Sequence, residues 1–222
     1  MKIVLADQES TLLLTAFAAG TVDVISFAKL GGVFASAMTG NFALLAYYVA
    51  EHRSEAALSS LLALVGFAAG CALGALHRHG RPQQRSLTPL FAWETALLLG
   101  FALYAFVSAH AGNTPSDHLQ ILLLAVAMGL QAIIGQAISL TTIVFTTTLT
   151  KLVSTIADSI ANGKVSNLKD VRIQSSVVIS YVLGALLAGL LIVRKIDAVV
   201  FLPFIGVALA FAMYRLSQSK AE

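Results

Sequence analysis

Charged residues are scarce in this sequence: they make up 11% of its 222 residues, against roughly a quarter in soluble domains. The mean hydropathy is +0.85, and several apolar runs approach the about 20 residues that a helix needs to span a bilayer. These runs are continuous and lack the period-two alternation of barrel strands, which excludes a transmembrane β-barrel. The sequence therefore predicts an all-α polytopic membrane protein.

Cysteine and catalytic motifs are also lacking. Cys71 is the only cysteine, which excludes a disulfide within the chain and a multi-thiolate metal site. There is no phosphate-binding glycine loop, zinc-protease helix, nucleophile elbow or paired-cysteine motif. The net charge of +3 comes from basic residues between apolar blocks, without the aromatic-interleaved patch of a nucleic-acid binder. We expect no enzyme activity, cofactor, metal or nucleic-acid partner, and an intramembrane enzyme ranks third among the functions considered.

Six apolar blocks are long enough to span a membrane. They are Ser10–Ala28, Ala57–His77, Thr88–Ala109, His118–Ile138, Ile173–Val193 and Asp197–Arg215. Two further segments, 33–50 and 140–160, are apolar enough to enter the membrane but are shorter or rich in threonine. We predict six transmembrane helices and two shorter membrane-entering segments, which are re-entrant or broken, in a single membrane domain over residues 1–222.

The first block has an alternative explanation as a cleaved signal peptide. Lys2 precedes it, and Ala16–Ala19 looks like a cleavage site. Asp7 and Glu9 before the run, and its apolar character as far as Ala28, instead favour retention as the first span.

The distribution of basic residues between the two sides of the membrane distinguishes six spans from eight. With six spans and the N-terminus inside, ten Lys and Arg residues lie inside and four outside, namely Lys29, Arg53, Arg194 and Lys195. With eight spans, the thirteen residues other than Lys151 divide seven against six. Because cytoplasmic loops carry an excess of Lys and Arg, we predict six spans with both termini cytoplasmic in a bacterial inner membrane.

Three spans in each half place two related halves upside down with respect to each other, which is the inverted-repeat arrangement of many transporters. We assign the repeats to 10–109 and 118–215. Thr39-Gly40-Asn41 in the first half is echoed by Thr146-Thr147-Thr148 in the second, and Gly20–Asp23 is echoed by Gly129–Gln131.

The two polar triplets are candidate substrate-binding segments, because each opens an apolar segment at corresponding places in the two halves. A hydroxyl or amide at a helix N-terminus can bind a polar solute, and a glycine allows close approach to the backbone. The alternative is that Thr39 or Asn41 is only a helix cap and Gly40 only a packing contact. The candidate substrate ligands are Thr39, Gly40, Asn41, Thr146 and Thr148.

Two acidic residues fall within predicted spans, where an ionisable group costs roughly 2.5–3.5 kcal/mol. We predict Asp23 and Glu94 as coupling-ion or proton sites. The alternatives are an ion pair of Asp23 with Lys29 and contact of Glu94 with the inner interface. The second half offers Gln131 as the counterpart of Asp23, so the halves are not chemically equivalent.

Small residues at Gly70 and Gly74, and at Gly184 and Ala188, are spaced to lie on one helix face and to permit close helix contacts. The spacing fits contacts within one chain as well as a homodimer through these faces.

The sequence resembles the YoaK-like family of bacterial inner-membrane proteins, a domain of unknown function with about six spans. Gly20-x-x-Asp23, Gly32-Val33-Phe34 and Met38-Thr39-Gly40-Asn41 carry the resemblance, which runs from about Leu12 to Leu216. In the second half Thr142–Thr148 keeps the family's Thr-x-x-x-Thr-Gly-Thr frame, with Thr147 in place of the glycine. The resemblance implies an integral inner-membrane protein and supplies no substrate.

We therefore expect a secondary transporter of a small polar or ionic solute, coupled to a proton or cation. The alternatives are a channel and a non-transporting membrane scaffold or accessory subunit.

Overall fold

The computed structural model describes residues 2–111, 116–138, 145–161 and 168–219, with side chains from residue 9 onward except at 83–86 and 145–146. Every regular element in this part of the chain is helical, in line with the all-α prediction. The elements are α1 Lys2–Lys29, α2 Met38–Ala50, α3 Ser54–Arg78, α4 Gln83–His110, α5 Asp117–Ala137, α6 Phe145–Ala161, α7 Leu168–Val193, a 3₁₀ turn Asp197–Phe201, and α8 Leu202–Ser219.

Six segments are long and apolar enough to cross a bilayer, as predicted. They are Glu9–Lys29, Ser54–Arg78, Leu87–His110, Asp117–Ala137, Leu168–Val193 and Asp197–Ser219. The segments in α1 and α5 are the most buried of the six. Ala16, Ala18 and Ala19, the proposed cleavage site, are inaccessible to solvent inside the bundle. The first block is thus a central helix.

The helix ends gather at two opposite ends of the bundle. At one, which we call the Arg53 end, Lys29 of α1 lies 4.0 Å from Asp197 before α8, and Glu55 of α3 lies 3.6 Å from His118 of α5. At the other, which we call the Arg78 end, the Arg78 side chain donates to the carbonyl of Ile133 in α5 at 3.3 Å.

Each of the two short helices, α2 and α6, lies between longer helices whose facing termini share one end of the bundle. This is the Arg53 end for α2 and the Arg78 end for α6. Residues 30–53 connect the end of α1 to the start of α3, and both of these lie at the Arg53 end. The start of α7 lies beside the start of α1, where Arg172 pairs with Glu9, and α5 also ends on that side. The described helices thus provide six candidate crossings, and the longer helices on either side of α2, and those on either side of α6, have their facing ends at one end of the bundle in each case.

Two glycines turn the chain back after α1. Gly31 and Gly32 have φ angles of 83° and 78°, a left-handed conformation that glycine adopts without steric cost. The chain then returns into the bundle beside α1, where Val33 and Ala35 are buried. The Gly31-Gly32 pair of the sequence thus makes the first re-entrant segment possible.

Close contacts between parallel helices hold the bundle together. Gly20 of α1 and Gly184 of α7 each face the other helix's backbone, at Tyr181 and Phe17 respectively, so closely that a Cβ at either would overlap it. Gly70 of α3 and Gly129 of α5 meet in the same manner. Such approach maximises van der Waals packing, which helix association in lipid requires.

The small-residue faces are therefore used inside one chain. Gly70 and Gly74 pack against α5, and Gly184 packs against α1, while Ala188 is fully buried. A homodimer through these faces is not supported, because α1 and α5 of the same chain already cover them.

We predict that Gly129→Ala destabilises the bundle by about 1–3 kcal/mol, because the new methyl group overlaps the backbone of α3. Gly100→Ala is the matched control, since a Cβ there meets no other atom within 4 Å. Thermal unfolding in detergent should show a lower midpoint for Gly129→Ala alone. Equal midpoints for the two variants would contradict the close contact.

Labelling of introduced cysteines tests the number of crossings. In a Cys71→Ser background, His52→Cys and Lys195→Cys should react with a membrane-impermeant reagent from the same side, and Arg81→Cys from the other. All three positions are exposed. With eight crossings, positions 81 and 195 would share a side and position 52 would lie opposite.

Candidate functional site

A buried carboxylate joins three elements inside the bundle. Asp23 of α1 is 3% exposed. Its Oδ1 accepts a hydrogen bond from the backbone N–H of Ser36 at 2.9 Å, and its Oδ2 accepts from the Ser36 hydroxyl at 2.6 Å and from the Tyr181 hydroxyl of α7 at 2.8 Å. We call Asp23, Ser36 and Tyr181 the Asp23 node.

The local chain geometry explains how the node forms. Asp23 lies six residues before the end of α1, about 9 Å of helix rise into the bundle. The turn at Gly31-Gly32 brings Ser36 back to this depth, immediately before α2. Lys29, the alternative partner considered for Asp23, instead lies 4.0 Å from Asp197. The ion-pair explanation of Asp23 is therefore wrong.

Asn41 fastens the start of α2 to the returning chain. Its Oδ1 accepts from the backbone N–H of Phe34 at 2.9 Å, and its Nδ2 donates to the backbone carbonyl of Phe34. At Gly40 a Cβ would lie 3.3 Å from the Phe34 ring, and this ring stacks on Phe27 with centroids 5.1 Å apart. Gly40 and Asn41 thus fix the re-entrant turn that presents Ser36 to Asp23.

The other candidate substrate ligands are arranged differently. Thr39 is exposed on α2, and the helix is capped by the backbone at Ala37 without a side-chain hydrogen bond, so Thr39 is not a cap. In α6, Thr148 is buried and the exposed Thr147 precedes it, whereas the side chain of Thr146 lies outside the described residues. Among the side chains that are described, Thr39 is thus exposed and Thr148 buried.

Glu94 and Gln131 lie away from the Asp23 node. Both are fully buried, and Gln131 donates from Nε2 to the backbone carbonyl of Thr15 at 3.0 Å. Because the Glu94 side chain is fully buried, it does not contact the interface at the Arg78 end, which was the alternative explanation of this residue. Asp23 lies six residues before the end of α1 at the Arg53 end, whereas Glu94 lies in the first half of α4, which starts at the Arg78 end, so the two carboxyl groups occupy different layers.

A wide cavity opens at the Arg53 end. It has a volume of about 1030 Å³ and we call it the vestibule. Its wall carries charges of both signs, including Lys29, Arg53, Asp117 and Asp197, and its lining also includes Ile25 and Gly31. Asp23, Ser36 and Tyr181 do not belong to this lining, so the buried node is closed off from the vestibule.

Sequence reasoning missed Ser36 and Tyr181. Ser36 lies within the polar run before α2, but no local pattern pairs it with Asp23, because the pairing depends on the turn at Gly31-Gly32. Tyr181 is 158 residues from Asp23, and only the packing of α7 on α1 brings them together. Among the described residues, no group of three or more His, Cys, Asp or Glu side chains is arranged to hold a metal ion.

Comparison with known proteins finds one family match over most of the chain. The model of a family described as "Protein of unknown function (DUF1275)" matches residues 11–213. The chain is also 28% identical over 224 aligned positions to the UPF0700 transmembrane protein YoaK of Bacillus subtilis (strain 168), with 97% of this chain and 96% of that protein covered. No solved structure matches.

Replacing Asn41 should loosen the re-entrant turn. Asn41→Leu keeps the side-chain size but leaves the backbone N–H and carbonyl of Phe34 unpaired, and an unpaired buried polar group costs about 1–3 kcal/mol. The matched control is Thr39→Val on the exposed face of the same helix. We expect a lower unfolding midpoint in detergent for Asn41→Leu only; a midpoint equal to that of Thr39→Val would show that Asn41 does not fasten the turn.

Proposed function

The chain belongs to the DUF1275 family of proteins of unknown function, and from its buried node we propose that it is a secondary transporter of a small polar or ionic solute. The observation that carries the proposal is a buried carboxylate inside a membrane span whose hydrogen bonds hold a re-entrant segment against α1 and α7. Movement of this segment would join solute passage to the binding of a proton or cation at Asp23.

The energetics of the node favour a functional carboxylate. An acidic side chain within a span costs roughly 2.5–3.5 kcal/mol to insert, whereas serine or asparagine would satisfy Ser36 and Tyr181 at a lower cost. Hydrogen bonds to a charged group contribute about 1.5–3 kcal/mol each. Three such bonds exceed the insertion cost while Asp23 is charged, and this margin shrinks as donors are lost.

Binding of a proton would change what Asp23 can do. A protonated carboxyl has an O–H that donates, so it accepts less strongly from Ser36 and Tyr181. Two of its three donors belong to Ser36 on the re-entrant segment. Protonation thus weakens the attachment of residues 30–50 to α1 and α7, and a cation displacing the donors would act in the same direction. This is the step that would couple ion binding to movement.

In the proposed cycle a solute enters the vestibule, and the node opens to it only when the re-entrant segment moves. The vestibule's volume of about 1030 Å³ exceeds that of a small solute, and its wall includes Lys29, Arg53, Asp117 and Asp197. A wall of mixed sign suits a polar or zwitterionic solute better than an apolar one. Thr39, Gly40, Asn41, Thr146 and Thr148 remain candidate solute ligands, with Asn41 available only after it releases Phe34.

The pairing of helices supports two inverted halves, at 10–109 and 118–215. α1 packs on α7 as α5 packs on α3, and the short helices α2 and α6 pack on α3 and α7 respectively. The glycine contacts repeat with the same spacing, since Phe17 and Gly20 meet α7 as Val126 and Gly129 meet α3. In this register Asp23 corresponds to Ala132, one residue after Gln131. Inverted halves permit alternating access by movement of one half against the other.

Orientation in the membrane follows from charge. Arg78, Arg81, Arg172 and Arg215 lie toward the Arg78 end, whereas the Arg53 end has Lys29, Arg53, Arg194 and Lys195, each beside a helix end. These are equal numbers, but the whole sequence divides ten against four in the six-span arrangement, with the ten on the side of the Arg78 end. This excess favours cytoplasmic termini. The vestibule would then face outward from the bacterial cytoplasmic membrane.

A non-transporting scaffold is the alternative. The small-residue faces that would hold a partner are covered within the chain, so that alternative has less support. A channel differs from a transporter in that its flux does not saturate with solute concentration.

Transport is tested with purified protein in two steps. A panel of amino acids, organic acids, sugars and inorganic ions is screened for stabilisation in detergent, because a ligand that binds the folded state raises the unfolding midpoint. Each hit is then added to proteoliposomes containing a pH-sensitive dye. We expect saturable, proton-linked flux, abolished by Asp23→Asn with folding retained, and kept by Asp170→Asn at an exposed position in the first turn of α7.

Two outcomes would contradict the proposal. Flux with unchanged proton dependence in Asp23→Asn would remove Asp23 from coupling. A panel that yields neither stabilisation nor flux, together with a fixed protein partner on purification, would favour the scaffold.

A further inference from the structure

A second polar layer lies toward the Arg78 end and takes no part in the Asp23 node. Glu94 of α4 is completely buried, and within the described part of the chain neither of its carboxylate oxygens has a hydrogen-bond partner. Gln131 of α5 is equally buried, and its Oε1 likewise has no donor among those residues.

Helix contacts place these groups near one another along the bundle. Thr15 and Gln131 lie at one depth because they are joined by a hydrogen bond. Gly74 of α3 faces Ile133, two residues after Gln131, and His77, three residues after Gly74, has its ring 4.8 Å from that of Trp93, which precedes Glu94. At 1.5 Å per residue, these contacts place Glu94 and Gln131 within about two helical turns of each other along the bundle. The Gln131 side chain crosses to α1, where its Nε2 donates to the Thr15 carbonyl at 3.0 Å. This bond fixes the amide and directs its oxygen away from Thr15.

The packing of α4 makes Glu94 an interior group. The buried positions Leu87, Leu90, Phe91, Glu94 and Leu98 recur at helical spacing, and this face packs on α5 and α8. Antiparallel packing of α4 on α5 brings Glu94 and Gln131 into the same part of the interface.

No described cation neutralises Glu94. On α8, Tyr214 is the titratable group nearest to this face, with its ring 5.2 Å from that of Phe91. On α3, His77 packs on Trp93, which is exposed and therefore on the other side of α4. Neither forms an ion pair with Glu94, and α5 contributes Gln131 and no charged side chain at this depth.

A single proton would satisfy both unpaired groups. A charged carboxylate accepts hydrogen bonds but donates none, so it cannot pair with the Gln131 oxygen, which is also an acceptor. A protonated carboxyl has one O–H donor, and the Gln131 oxygen is an acceptor in the same part of the interface. We propose that Glu94 and Gln131 form an intramembrane proton-binding site in which protonated Glu94 donates to Gln131 Oε1. The proton enters from the Arg78 end, and binding or release forms or breaks only the O–H bond of Glu94.

The site does not depend on the proposed transport activity. It would be a second proton-binding site, which lies toward the Arg78 end while the Asp23 node lies toward the Arg53 end, and which is reached from the other side of the membrane. If Asp23→Asn does not abolish flux, the proposed coupling role of Asp23 is wrong, but the protonation of Glu94 is unaffected. The two proposals can therefore fail separately.

Chemical modification tests the site on the intact wild-type protein. N,N′-dicyclohexylcarbodiimide reacts with protonated carboxyl groups in apolar surroundings, and peptide mass spectrometry then identifies the modified residue. We expect modification at Glu94 at neutral pH that decreases as the pH is raised. Glu94→Gln, which imitates the protonated side chain, should fold normally and lose the modification, and Asp23→Asn should keep it.

Infrared spectroscopy provides a second measurement, which reports on Gln131. Wild type should show the carbonyl band of a protonated carboxylic acid that is absent in Glu94→Gln. Gln131→Leu should keep this band and move it to higher frequency, because the Glu94 O–H has lost its acceptor. An unmoved band would remove Gln131 from the site.

Other results would overturn the proposal. Absence of both the modification and the band would show that Glu94 is ionised. If sodium ions at constant pH prevent the modification of Glu94 and alkaline pH does not, the site binds a metal cation instead of a proton.

Discussion

Apolar side chains gain little when they leave lipid for the interior of a membrane protein, so helices in a bilayer associate through close packing and polar contacts. In this bundle the closest packing occurs where Gly20 and Gly184 join α1 to α7, and where Gly70 and Gly129 join α3 to α5. Tyr181 is three residues before Gly184, so the same contact that holds α7 also delivers its hydroxyl to Asp23.

Much of the fold could be predicted because bilayer thickness imposes a length on each span. The apolar blocks gave the six crossings to within a few residues, and the family resemblance is confirmed by the match over residues 11–213. The non-crossing nature of 33–50 also followed from charge. The partner of Asp23 could not be predicted, because Lys29 is nearby on the same helix whereas Ser36 approaches only through the turn at Gly31-Gly32.

The candidate site illustrates the same limit. Asn41 was predicted as a substrate ligand. In the structure its side chain bonds to Phe34 of its own segment, and a sequence motif does not distinguish a structural amide from a ligand-binding one. Glu94 was singled out by its position in a span. Its nearness in depth to Gln131 depends on the antiparallel packing of α4 and α5, which becomes visible only when the helix ends are aligned.

The depth of the Asp23 node has an electrical consequence. Asp23 lies about 9 Å inside a hydrocarbon core of about 30 Å, so an ion that reaches it from the vestibule crosses roughly a third of the bilayer. A full crossing is worth about 2.3 kcal/mol per elementary charge per 100 mV, and this partial step is therefore worth about 0.7 kcal/mol at the same voltage. The resting potential of a cell would by itself alter the occupancy of the node several-fold, before any helix moves.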